Sequence, residues 1–97
     1  MTYEAVSAQH ARREALYASQ LDGLPTELHP LLELLPGVPR MALVSQLHDL
    51  AHGTLASREQ ETGIALGYIF AAHLRGEIGQ AETEALRAFV NGLRRRV

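Results

Sequence analysis

The chain has 97 residues, 46% of them hydrophobic, which makes one domain with a modest core and argues against wholesale disorder. It contains no cysteine, which excludes a disulfide framework, a thiolate metal site and a cysteine nucleophile. All nine basic residues are arginine, and the formal net charge of −2 argues against a surface wholly given to nucleic acid.

The first helix is expected from about Thr2 to Leu21, with Tyr3, Val6, His10, Tyr17 and Leu21 on one face. Asp22-Gly23 and then Pro25 end it. Leu28-His29-Pro30-Leu31-Leu32-Glu33-Leu34-Leu35 follows, where Pro30 can open a short helix of about two turns. Its five leucines need burial, so it is expected to fold over one end of the core, or else to detach and face a partner. Pro36 and Pro39 predict a rigid connection. A second full helix runs from about Arg40 to His52, with Met41, Leu43, Val44, Leu47, Leu50 and Ala51 inward and Gly53 in a left-handed terminal position.

Ser57-Arg58-Glu59-Gln60 has the form of a capping box. The central helix after it reaches about Arg75 and contains ten uncharged residues, Gly63 to Ala72. A helix apolar all round is expected to be buried on every side, and ten residues are half a membrane span. The last helix, about Gln80 to Arg96, has the stripe Leu86, Phe89, Val90, Leu93 and Val97. Glu82 and Glu84 lie near its start and arginines near its end, as the helix dipole favours. No segment alternates as a strand would. The fold class is therefore all-α: four main helices plus one short Pro-initiated helix.

Gly63, Gly67 and Ala71, four apart, allow another helix backbone to approach, from the same chain or from a second copy in a homodimer. His48 and His52, at i and i+4, could share a metal ion, with a third ligand drawn from His29, His73 or Glu33. The same pair also reads as an exposed helix end where imidazolium is favoured. The run differs from the zinc-protease H-E-x-x-H by Asp49, and the chain is too short for a protease cleft. Arg94, Arg95 and Arg96 could contact phosphate, or form a solvated helix end. Leu66-Gly67 and Phe70, then Ala81, Ala85 and Phe89, resemble one tetratricopeptide helix pair. Gly76 is out of register and no second copy lies upstream, so the segment is read as a generic helical hairpin.

There is no nucleophile elbow, no glycine-rich phosphate loop, and no carboxylate pair arranged to split two pKa values. The expectation is a non-enzymatic module, without a cofactor, that binds another protein through apolar helix faces as an adaptor, chaperone or inhibitor does. Leu31, Leu32, Leu35, Tyr3 and Tyr17 are the candidate anchors. A dimeric DNA-binding regulator using the C-terminal arginines and a metal-binding bundle using His48 and His52 are the alternatives. The first residues, Met1-Thr2-Tyr3-Glu4-Ala5, lack a basic stretch followed by an apolar core. With the absent cysteine, this makes a cytoplasmic, non-membrane protein the expectation.

Overall fold

A computed structural model describes residues 2–53 and 58–94. Five helices appear in it, α1 (Tyr3–Asp22), α2 (His29–Leu32), α3 (Gly37–His52), α4 (Arg58–Leu74) and α5 (Gln80–Arg94), with a 3-10 turn at Thr26–Leu28 before α2. There is no strand among the described residues, so the fold is all-α as the pattern predicts. The capping-box serine, Ser57, lies outside the described residues, as do Arg95, Arg96 and Val97.

Local chemistry sets most boundaries. Thr2 caps α1, its hydroxyl accepting from the Ala5 amide at 3.2 Å. α4 ends in a Schellman motif. Gly76 takes φ +77°, its N–H reaches the His73 carbonyl and the Glu77 N–H reaches the Ala72 carbonyl, both at 3.0 Å. At the start of α5 the Glu82 carboxylate accepts from the Gly79 amide at 3.2 Å.

Two boundaries correct the expectation. α3 begins at Gly37, so Pro39 lies inside its first turn. The N–H that proline lacks is one of the four that a helix start leaves unbonded, so Pro39 costs the helix nothing there. Gly53 is extended, at φ −84° and ψ −178°, not left-handed. A side chain at Gly53 would collide with the Asp49 carbonyl, which is what favours glycine.

One apolar cluster holds the helices together. Leu43, Val44, Leu47 and Leu50 of α3 meet Ala65, Ile69 and Ala72 of α4 and Leu86, Val90 and Leu93 of α5. α4 and α5 pack as a hairpin, and α3 lies against α4. Leu24, Leu28, Leu32 and Leu35 close one end of this cluster. The leucine-rich segment is thus core, the first of the two roles its composition allowed. α1 rests on α3 through its C-terminal turns only, where Tyr17 and Leu21 touch the core and Gln20 Nε2 donates to Ser45 Oγ at 3.4 Å. None of α1 is fully buried, and residues 3–16 are all exposed.

Candidate functional site

The uncharged run of α4 is not sealed on every side. At 100° per residue, Thr62, Ala65, Ile69 and Ala72 point to one side, and these are its buried residues. Gly63, Ile64, Gly67, Tyr68, Phe70 and Leu74 lie away from the core and are exposed, with Ala71 half-buried between them. The expectation of complete burial is corrected. α4 contacts α3 and α5, and the remaining long helix, α1, packs on α3, so the outer side of α4 is left uncovered.

The glycines explain nothing inside the protomer. A Cβ built at Gly63 or Gly67 meets no described atom within 4 Å. The small residues that bring α4 close to its neighbours are Ala65 and Ala72, both sealed in the core.

The charges nearest this face are Glu59 and Arg75 at its ends and Arg87 of α5, which lines a cavity with Leu66 and Phe70. Glu59 holds Arg94 at one end, with Nε and Nη2 donating to its two oxygens at 2.9 and 3.1 Å. At the other end Arg75 donates to Glu77 at 2.8 and 2.6 Å. That hydrogen bonding, opposed by desolvation and aided by the attraction between the two charges, lowers the Glu77 pKa and raises that of Arg75. Beside the face, Val38, Pro39 and Ala42 of α3 and Tyr68 and Ala71 of α4 line a largely apolar groove of about 130 Å³, with Arg75 at its margin.

The residues expected from sequence scatter. Leu32 and Leu35 are sealed in the core, so they offer no surface to a partner, and Leu31 packs half-buried against them. Tyr3 stands 85% exposed on the free part of α1, while Tyr17 is half-buried where α1 meets α3. These anchors do not converge on one surface. The apolar residues left exposed in and just after the run read as buried are Ile64, Phe70 and Leu74, with Tyr68 at the edge beside α3. Their signal was the placement of Gly63 and Gly67 on the same face, with Ala65 and Ala72 opposite.

The histidines close the turn after α1. His52 Nε2 lies 3.0 Å from the Gly23 carbonyl, and His29 Nε2 lies 2.9 and 3.2 Å from the Leu21 and Leu24 carbonyls. The His48 and His52 rings stack at 4.6 Å, tilted by 41°. No group of three or more metal-ligating side chains gathers among the described residues. Of the arginine cluster, Arg94 is committed to Glu59, and Arg95 and Arg96 lie outside the described residues.

No described helix is long and apolar enough to cross a membrane. Compared with known protein families, curated proteins and solved structures, the chain matches none.

Proposed function

We propose that this chain is a non-enzymatic module that binds another protein, and that its working surface is the outer face of α4. The observation behind this reading is that Ile64, Tyr68, Phe70 and Leu74 stand between 40 and 69% exposed on a helix face without charge. Scattered apolar side chains on a surface are ordinary, but a contiguous uncharged face is characteristic of a docking site. The working surface therefore moves from the leucine segment to α4. The absence of cysteine suits a reducing compartment such as the cytosol.

The test is retention by the immobilised chain from host lysate, compared with Phe70→Glu. Phe70 is 60% exposed, so the variant keeps its helical spectrum and, in dilute solution, its melting temperature. The expected result is a protein held by the wild type and lost by the variant. Identical retention by both, together with identical self-association of the two proteins, sinks the reading.

A further inference from the structure

We infer that the occupant of the α4 face is a second copy of this chain, docked antiparallel about a two-fold axis that passes close to Gly67. The inference rests on the reading of that face as a docking surface and names its partner.

Symmetry is the first argument. On a two-fold axis a residue meets its own counterpart, and close to it the same few residues of both copies face one another, so a charge there would meet a like charge or lie unpaired. Gly63, Ile64, Gly67, Tyr68, Phe70, Ala71 and Leu74 are all uncharged. The nearest charges at the two ends, Glu59 and Arg75, are already paired within the protomer to Arg94 and Glu77.

Shape is the second. On the α4 wheel Gly67 is at the centre of the face, with Gly63 and Phe70 toward one edge and Ile64 and Ala71 toward the other. A two-fold axis at Gly67 reverses position along the helix and keeps each edge against the same edge. Phe70 of one copy then lies over Gly63 of the other, and Ile64 over Ala71, so each large side chain meets a small residue. The glycines let the two backbones approach, and the protomer has no other described use for them.

Area is the third. Taking the 150–250 Å² of an aromatic side chain as an upper guide for each, Ile64, Tyr68, Phe70 and Leu74 at their exposures offer roughly 300–500 Å² per copy. Closing a symmetric pair then buries roughly 600–1,000 Å², up to the threshold of a specific interface. Val38, 79% exposed beside the groove along α3, extends the same surface.

The experiment is light scattering on the full chain from micromolar to hundreds of micromolar, with two variants. The wild type is expected to reach twice the 10.6 kDa monomer mass. Gly67→Arg, whose Cβ meets no described atom of the protomer within 4 Å, is expected to keep its helical spectrum and to dimerise at least about 100-fold more weakly. Gly67→Cys supplies the only thiol in the chain and is expected to cross-link to a covalent dimer under mild oxidation, whereas Ser7→Cys on exposed α1 is not.

A wild type that stays monomeric overturns the inference, as does a dimer that Gly67→Arg leaves intact or that Gly67→Cys fails to trap. If the wild type is monomeric but lysate retention still depends on Phe70, the docking face stands and only its occupant is wrong. If neither result appears, both readings fall.

Discussion

Thr62 is buried to 2% exposure and its hydroxyl has no hydrogen-bond partner among the described residues. A buried hydroxyl without a partner costs roughly 1–3 kcal/mol, and valine has nearly the same shape. Thr62→Val is therefore expected to raise stability by about 1 kcal/mol, visible as a melting temperature about 4–8 °C higher. The glycines of α4 and its cap should respond in opposite directions. Gly67→Ala, measured in dilute solution, gains about 1 kcal/mol from helix propensity because the added methyl meets nothing. Gly76→Ala loses about 1 kcal/mol because φ +77° strains any L side chain. Paired urea titrations of the two variants check both signs. Glu77 adds a pH dependence. Its folded pKa is lowered by Arg75, so its contribution is present above the ordinary carboxylate pKa and fades as pH falls through the lowered value. Glu77→Gln is expected to flatten that acid limb, and an unchanged limb in urea titrations below pH 5 would contradict it.

Among the elements, the leucine segment joins the core while most of α1 stays outside it. Leu32 is fully sealed while Leu34, two positions on, is 52% exposed. Leu32→Ala is expected to cost about 2–5 kcal/mol, and Leu34→Ala to stay within about 0.5 kcal/mol of wild type. Chemical denaturation separates these outcomes, and equal losses would mean that the segment does not close the core as described. α1 carries the reverse expectation. Its residues 3–16 touch no core, so deleting residues 2–12 should leave the denaturation midpoint of the remainder nearly unchanged. Amide exchange should be fast along that stretch and slow across Ala65, Ile69 and Ala72.

For the molecule as a whole, the extents of 45 × 32 × 22 Å and the radius of gyration of 14.4 Å reflect the reach of α1 beyond the core. A compact chain of this length has a radius of about 13 Å. Three helices and a leucine-rich end make one core, and that geometry leaves α4 with a side uncovered. If a second copy covers it, stability depends on protein concentration. The wild-type melting temperature is then expected to rise with concentration while that of Gly67→Arg does not. Calorimetry over a concentration series would show this, and parallel behaviour of the two proteins would exclude self-association through α4.

The helices themselves were legible in the sequence because their causes are local. Gly76 and Pro36 mark where turns must form, and Leu86, Val90 and Leu93 repeat at helical spacing. That periodicity dictates helical structure whatever lies nearby. Which face of α4 meets the core was not legible, because an uncharged helix has no polar side to announce solvent. Only the packing of α3 and α5 against Ala65, Ile69 and Ala72 decided it. The same holds for the leucines, whose composition demands burial but does not say against what. Leu32 and Leu35 became core, and Tyr3 was left outside, because burial depends on where distant segments come to rest. The pattern along the chain determined which residues can form helices. The tertiary structure alone decided which apolar faces those helices spend on one another, and which one, the outer face of α4, remains exposed.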